Sequence, residues 1–173
     1  ISTIPTYAFI SGSFKNWRGM ADSKGRRIKR SVNINMMSIR FCTDEEITQY
    51  KSVELLKDYI ESIQNEISSH NETNRHDKAY LLNGRNLTNI GLFREYAHQY
   101  LSANENLRMD LTLMVRQLEP TENGLPIEVY CFSNNIEWVE YERIQADIFD
   151  HLLSSISNFD LEIFQNPTGK FGS

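Results

Sequence analysis

Hydrophobic residues alternate with polar ones along residues 26–41, RRIKRSVNINMMSIRF, as in a half-buried strand. The apolar side chains move from even to odd positions at Met36 and Met37. A shift of one residue turns the side chains of a strand to its other face. We therefore predict a bulge or bend near residues 36–37, which allows one strand to take part in two sheets.

A long amphipathic helix is predicted after this strand. Thr43 and Glu46 have the spacing of a capping box, in which a hydroxyl and a carboxylate satisfy free N–H groups at a helix start. The apolar positions that follow step by three or four residues for about six turns. They are Ile47, Tyr50, Val53, Leu56, Ile60, Ile63 and Ile67. Residues 68–78, SSHNETNRHDK, are polar and without periodicity, which predicts a loop.

The rest of the chain predicts two helices and three strands. They are a helix from Asn89, strands at 110–118 and 125–132, a helix capped by Asn134 with Glu137 three residues later, and a strand at 159–165. Counted from Arg27, the order is β-α-β-β-α-β. This order is typical of an α+β fold, a ferredoxin-like antiparallel sheet with helices packed on one face.

Charge is distributed unevenly along the chain. The net charge is −5, but residues 1–40 carry eight basic residues and one acid, and residues 41–173 carry ten basic and 22 acidic residues. This asymmetry indicates two modules with different surroundings. The cations concentrate in NWRGMADSKGRRIKR, residues 16–30. The candidate contact residues in this stretch are Trp17, Arg18, Lys24, Arg26, Arg27, Lys29 and Arg30.

Candidate catalytic and metal sites are sparse. Cys42 and Cys131 form no CxxC motif, and free thiols in a reducing compartment are the simplest interpretation. His70 and His76 have no carboxylate or thiol at ligand spacing. The sequence contains none of the common nucleotide-binding, hydrolase or metalloprotease motifs. We predict no catalytic site, no metal and no cofactor.

Nucleic-acid binding is a weaker alternative. Cations beside Phe14 and Trp17 are of the kind that neutralise phosphates and stack on bases. However, the strands at 110–118 and 125–132 lack the aromatic motif of RNA-recognition modules, and the rest of the chain is acidic. We therefore predict no nucleic-acid partner. A stand-alone regulatory or ligand-binding module remains the alternative function.

Several long segments resemble the cytoplasmic C-terminal part of MscS-like mechanosensitive channels, and within that family the miniconductance, YbdG-type branch. They include NWRGM, GRRIKRS, MVRQLEPTENGLPIEVYCF and IQADIFDHL. The resemblance covers nearly the whole chain and is weakest over residues 44–85. Lys24 stands where the family pattern GGRRIKRS has glycine, a departure that affects only the tip of a predicted turn.

The resemblance implies a domain organisation and a location. Residues 1–40 would be the end of the channel's β domain, and residues 41–173 a ferredoxin-like α/β domain with a helical and loop insertion around 44–85. Membrane helices would precede Ile1, where the chain begins in a predicted strand, so we expect a fragment of a longer protein. The fragment would lie on the cytoplasmic side of a bacterial inner membrane. No apolar run in it approaches the ~20 residues of a membrane span.

The resemblance also implies a role in osmotic-stress response, with identical subunits, seven by analogy to MscS, forming a vestibule below the pore. Three interpretations of the cations at residues 16–30 stay open. They face anionic lipid headgroups, pair with acids of a neighbouring subunit, or keep an exposed hairpin soluble. For the insertion, a shield that modifies gating and a helix that thickens the core are both open.

Overall fold

Three strands form one antiparallel sheet in a computed structural model that describes residues 25–77 and 79–166. The strands are β1 (Arg26–Ile34), β2 (Met114–Gln117) and β3 (Leu125–Ser133), in the spatial order β1-β3-β2. β1 pairs with β3 along its whole length, from Arg26 opposite Ser133 to Ile34 opposite Leu125. β3 also pairs with β2 on its other side, so it is the central strand of the sheet.

Within the described residues, four α-helices accompany the sheet. They are α1 (Asp44–Tyr50), α2 (Glu54–Thr73), α3 (Asn89–Ser102) and α4 (Trp138–Ser155). Two short 3-10 helices cover Met36–Ser38 and Ile156–Phe159. The predicted fold class, α+β with an antiparallel sheet and helices, is confirmed.

Even-numbered positions of β1 and odd-numbered positions of β3 form the core face of the sheet. Ile28, Val32 and Ile34 are buried there, beside Ile127 and their other neighbours on β3. The core continues into the inward stripes of the helices, with Leu56, Phe93, Ile148 and Leu152 almost fully buried. The periodicity of the sequence predicted these stripes, because apolar residues three and four apart share one face of a helix.

The predicted six-turn helix is two helices in the structure. The capping box at Thr43 and Glu46 is present and starts α1. α1 ends at Tyr50, and Val53 adopts an extended conformation before α2 begins. α2 then continues to Thr73. The prediction of a loop over residues 68–78 was therefore wrong for about the first half of that segment, which is helical.

The end of β1 also differs from the prediction. Of the predicted bulge or bend near residues 36–37, the structure has a bend, a 3-10 helix over Met36–Ser38. β1 stops at Ile34, so the prediction that one continuous strand takes part in two sheets was wrong. The Asn35 side chain caps this turn by accepting a hydrogen bond from the Met37 N–H, at 3.0 Å. Met36 is 44% and Met37 91% exposed, so these two apolar residues of the sequence pattern are not part of the core.

The predicted last strand is reduced to a single bridge. Residues 156–159 form a 3-10 helix, Asp160 takes a left-handed conformation (φ 59°), and the chain then runs beside the end of β1. There Ile163 lies opposite Ile34, with the Asn35 N–H donating to the Glu162 carbonyl at 2.8 Å and the Phe164 N–H to the Asn33 carbonyl at 2.9 Å. The segment therefore occupies the position of a fourth strand without its length.

The prediction that Asn134 caps α4 was wrong. Glu137 is the N-cap, and its side chain makes no capping hydrogen bond. The Asn134 side chain donates instead to the Glu105 carbonyl at 2.7 Å, and the Asn135 side chain accepts from the Glu137 N–H at 2.9 Å. Asn134 thus ties the end of β3 to the segment after α3.

Arg40 joins three segments of the chain by ion pairs. Its guanidinium donates to both carboxylate oxygens of Glu46 at the start of α1 and to Asp160 Oδ2 at 2.7 Å. The hydrogen bonds from Arg40, followed by that from the Thr43 N–H, lower the pKa of Glu46 to about 2. A carboxyl group with a lowered pKa stabilises the fold above its ordinary pKa, and that stability is lost as the pH falls through the lowered value.

Replacing Arg40 by glutamine is expected to reduce the acid sensitivity of the fold. The variant should lose about 1 kcal/mol of stability at pH 7, since Arg40 is 39% exposed and solvent screens its ion pairs. It should also lose less further stability than the unchanged protein between about pH 5 and pH 2, because its Glu46 titrates nearer the ordinary value. Urea denaturation at several pH values measures both effects.

The matched control is Arg143→Gln, which removes an arginine that pairs with Glu140 and Asp147 on its own helix. This control should shift the urea midpoint only slightly at any pH. Parallel stability–pH curves for the Arg40 variant and the unchanged protein would contradict the assignment.

Candidate functional site

The basic residues of β1 divide between the two faces of the sheet. Successive side chains of a strand point to opposite faces, so Arg26 and Arg30 share the core face with Ile28, whereas Arg27 and Lys29 point the other way. We call this second face, formed by Arg27, Lys29 and the even-numbered residues of β3, the distal face. The sequence cluster at residues 26–30 is therefore two pairs of cations with different surroundings.

The core-face pair lies over aromatic rings of α4. The Arg26 guanidinium carbon is 4.3 Å from the centre of the Tyr141 ring, and that of Arg30 is 5.2 Å from the centre of the Phe149 ring. The Tyr141 hydroxyl donates to the Arg27 carbonyl at 2.5 Å. Cations over aromatic faces stabilise a fold by about 0.5–1 kcal/mol each at exposed sites. This pair therefore contributes to the attachment of α4.

The packing role of Arg26 and Arg30 was not predicted from the sequence. The sequence did contain a pattern that predicts the face on which they lie. Both arginines occupy even-numbered positions of the strand, as do the buried residues Ile28 and Val32. The aromatic partners are more than a hundred residues away in the sequence. Only the docking of α4 on β1 shows that Tyr141 and Phe149 receive these cations.

The distal pair lies opposite aromatic residues of β3. Arg27 is paired across the strands with Phe132, and Lys29 with Tyr130. The rings of Tyr130 and Phe132 meet edge to face, with centres 5.8 Å apart. Lys29 is exposed and Tyr130 is half-buried, while Phe132 is buried. The distal face thus places positive charge beside partly accessible aromatic surface.

A buried carboxylate completes the distal face. Glu128 is 5% exposed and accepts a hydrogen bond from Arg116 Nε on β2 at 2.8 Å. The Arg116 side chain is 47% exposed and its charge is paired with Glu128. Lys29 carries the exposed positive charge beside Tyr130, and an acidic surface of another molecule would complement it.

Exposed apolar residues lie at the end of the sheet where β1 begins. Ile136, just before α4, and Trp138 and Val139, in its first turn, are 50%, 66% and 68% exposed. Arg26 is opposite Ser133 in the sheet, which places this apolar patch near the first residues of β1. Apolar surface rimmed by charged residues is typical of protein–protein contacts.

Three of the predicted contact residues, Trp17, Arg18 and Lys24, lie outside the described residues. So does the predicted turn that precedes Gly25. The structure places the other four, Arg26, Arg27, Lys29 and Arg30, on the two faces of β1, and their role in contacts with subunits or lipids stays a prediction. The division of the chain at residue 40 also stays a prediction. β1 lies before that division and pairs throughout with β3, which lies after it.

The two thiols are buried on the core side. Burial raises the pKa of Cys42 to about 11 and that of Cys131 to about 12. Both are therefore protonated near neutral pH, and a protonated thiol is a poor nucleophile and metal ligand. Within residues 25–77 and 79–166, no three His, Cys, Asp or Glu side chains are grouped as a metal site would require.

The histidines have mostly aromatic neighbours. His70 and His76 lie with ring centres 5.8 Å apart at the end of α2. His151 accepts or donates a hydrogen bond with the Tyr96 hydroxyl, at 2.7 Å, and stacks on the Tyr100 ring at 3.9 Å. Burial lowers the pKa of His151. The contact between Tyr96 and His151 joins α3 to α4.

The described helices include none that is long and apolar enough to cross a membrane. Residues 28–163 match the family model described as the C-terminal part of the mechanosensitive ion channel MscS. The matched range runs from β1 to the bridge at Ile163, so it includes nearly the whole sheet and all four helices.

Proposed function

Because the chain belongs to the family of C-terminal domains of the mechanosensitive ion channel MscS, we propose that it is the cytoplasmic assembly domain of one subunit of such a channel. The match of residues 28–163 to that family carries the proposal. In this function the domain forms part of the vestibule below the pore, and membrane helices elsewhere in the protein form the pore itself. The YbdG-type branch, the sevenfold stoichiometry and the response to osmotic stress belong to the same proposal.

Recording currents from membrane patches tests this function. Cells that express the full-length protein carrying this chain should show currents that appear when suction stretches the patch. Patches from cells without the protein, but with the same lipids, are the control. Expression of the full-length protein in the membrane without any tension-dependent current would contradict the proposal.

Within this function, we assign the distal face to contacts between subunits. Lys29 supplies exposed positive charge, while α4 and its N-cap carry exposed acids such as Asp150 and Glu137. The exposed apolar patch at Ile136, Trp138 and Val139 adds the kind of surface that subunits bury. Domains of this family are generally oligomeric. Anionic lipid headgroups are the other possible partner of the cations, and binding to lipid vesicles distinguishes the two.

Replacing the distal pair, Arg27→Gln with Lys29→Gln, is expected to weaken assembly. The mass of the chain from light scattering, followed over concentration, should show dissociation at higher concentrations than for the unchanged chain. A shift of about tenfold in the dissociation constant corresponds to ~1.4 kcal/mol per contact. Lys29→Gln alone should also weaken assembly and leave the thermal midpoint at low concentration unchanged, because the Lys29 side chain is exposed.

The core-face pair is the matched control, since it removes the same charge from the same strand. Arg26→Gln with Arg30→Gln should lower the thermal midpoint, because it removes both contacts with Tyr141 and Phe149. Equal masses for the unchanged chain and the distal-pair variant would contradict the subunit contact. Loss of binding to phosphatidylserine vesicles in that variant, with unchanged mass, would assign the distal pair to lipid.

A further inference from the structure

Three consecutive large apolar residues are exposed in the segment between α2 and α3. Tyr80, Leu81 and Leu82 are 68%, 42% and 83% exposed, and we call these three residues the apolar tip. Exposed apolar runs of this length are avoided in folded proteins unless they take part in binding. The tip lies in the insertion that the sequence predicts around residues 44–85, so it is a candidate for the role of that insertion.

The segment that carries the tip is tied to the end of α2 by hydrogen bonds. The buried side-chain amide of Asn71 accepts from the Arg85 N–H at 2.9 Å and donates to the Arg85 carbonyl at 3.1 Å. Asn86 Nδ2 donates to the Leu81 carbonyl at 2.5 Å. Gly84 adopts φ 72°, and a Cβ atom there would lie 2.2 Å from Asn71 Oδ1. The tip is therefore exposed on a hydrogen-bonded segment, and its exposure is not the result of missing local contacts.

The apolar tip and the apolar patch at the start of α4 lie near opposite ends of that helix. Near the C-terminal end of α4, the Cys42 N–H donates to the Leu87 carbonyl at 2.9 Å, and Arg40 pairs with Asp160 at 2.7 Å. Leu81 lines a cavity beside the start of α1, in the same region. α4 has 18 residues and is therefore about 27 Å long. The tip and the patch of one chain therefore do not cover each other.

The tip and the patch carry complementary charge. Residues 75–85, which include the tip, contain three basic residues and one acid, whereas residues 134–142, which include the patch, contain three acids and no basic residue. Arg75 and Glu137 are both exposed, and neither forms an ion pair with another of the described residues. Two tips or two patches in contact would bring like charges together, so contact between a tip and a patch is favoured.

We propose that the apolar tip of one subunit packs on the apolar patch of the next, with Arg75 opposite Glu137 of the partner subunit. This contact rests on the proposed function, in which identical subunits assemble. Contact between two different surfaces is head-to-tail, and head-to-tail contacts close into rings when the rotation between subunits allows it. A vestibule around one pore requires a closed ring of this kind. Asp150 of α4 remains available for Lys29 of the distal face.

Cross-linking of the full-length protein in membranes tests the contact. Leu82→Cys and Val139→Cys place one thiol on the tip and one on the patch, and a short bismaleimide joins thiols of neighbouring subunits. The double variant should give dimers and higher oligomers on a denaturing gel, because each chain carries both halves of the contact. Each single variant is a control and should give no species larger than those of the unchanged protein.

Exchange of the two charges tests the pairing of Arg75 with Glu137. Arg75→Glu and Glu137→Arg should each raise the dissociation constant of the full-length assembly about tenfold, measured by light scattering over a range of concentrations. The combined variant restores opposite charges and should bring the constant close to its original value. Lys57→Glu, which reverses an exposed cation near the start of α2, is the control and should assemble as the unchanged protein does. An equal effect of Lys57→Glu, or no recovery in the combined variant, would overturn the pairing.

An assembled protein whose double cysteine variant stays unlinked would overturn the contact and leave the proposed function standing. A full-length protein that is monomeric in the membrane would contradict both. Leu82→Ser should weaken assembly and leave the thermal midpoint of the 173-residue chain unchanged, because Leu82 is exposed. Loss of binding to phosphatidylserine vesicles in Leu82→Ser, with unchanged assembly, would assign the tip to a lipid surface and overturn the subunit contact.

Discussion

Replacing Phe93 by alanine is expected to lower the free energy of unfolding by about 4 kcal/mol. Phe93 is 1% exposed and meets Phe159 edge to face, with ring centres 5.7 Å apart. Phe159 in turn stacks on Tyr50 at 5.2 Å and lies 5.5 Å from Tyr96. Truncation removes the aromatic contact and leaves a cavity at the point where α1, α3 and the C-terminal segment meet.

Urea denaturation followed by circular dichroism measures this loss. Phe93→Leu should cost less, about 1–2 kcal/mol, because it keeps most of the apolar volume. It also keeps the experiment interpretable if the alanine variant is too unstable to purify. Tyr80→Ala is the control, since Tyr80 is 68% exposed and its removal should change the urea midpoint little. Equal stability of Phe93→Ala and Tyr80→Ala would contradict the role of the aromatic cluster.

Replacing Asn89 by alanine is expected to cost about 3 kcal/mol, which is large for a polar residue. Asn89 is 1% exposed at the start of α3. Its Oδ1 accepts from the Arg40 N–H at 3.0 Å, and its Nδ2 donates to the carbonyls of Ser38 and Phe159, at 2.9 and 3.0 Å. The variant leaves these backbone groups buried without partners, and each such group is costly.

The matched control for Asn89 is Asn65→Ala, which removes an exposed asparagine from the middle of α2. Alanine favours a helix, so this control should be neutral or slightly stabilising. Amide hydrogen exchange adds a specific readout, because the Arg40 amide should exchange faster in Asn89→Ala. Normal protection of the Arg40 amide in that variant would contradict the hydrogen bond.

These two sites share one neighbourhood, where the segment after β1, the start of α3 and the 3-10 helix at Ile156–Phe159 meet. Arg40 reaches the same region through Asp160. The C-terminal segment is therefore held to the rest of the domain by packed and hydrogen-bonded residues here, as well as by its bridge to the end of β1.

The break between α1 and α2 shows how far a sequence pattern can be interpreted. Ile47 and Leu56 are nine residues apart, which places them roughly 180° apart around a continuous helix. Both are buried, at 7% and 0% exposure, so a single straight helix was unable to bury both on one side. The apolar positions from Ile47 to Leu56 are separated by three successive steps of three residues, and each such step turns the apolar face about 60° around a helix. The prediction of one helix took account of the number of apolar positions and not of this rotation, and it was therefore wrong.

The sequence by itself determined the elements that depend on near neighbours. The capping box at Thr43, the start of α3 at Asn89, the apolar strand β3 and the family were all predictable, because their patterns involve residues a few positions apart or a characteristic order of segments. The uneven charge and the cation cluster at residues 26–30 were also evident. Local hydrogen bonding and periodic burial act over one or two turns, so they leave a trace in the sequence.

The tertiary structure decided what each of these residues contacts. It separated Arg26 and Arg30, which lie over Tyr141 and Phe149, from Arg27 and Lys29 on the distal face. It also reduced the last strand to one bridge and buried Asn89 among backbone groups of two distant segments. These outcomes depend on docking between segments far apart in the chain, and no local periodicity specifies which distant partner a side chain meets.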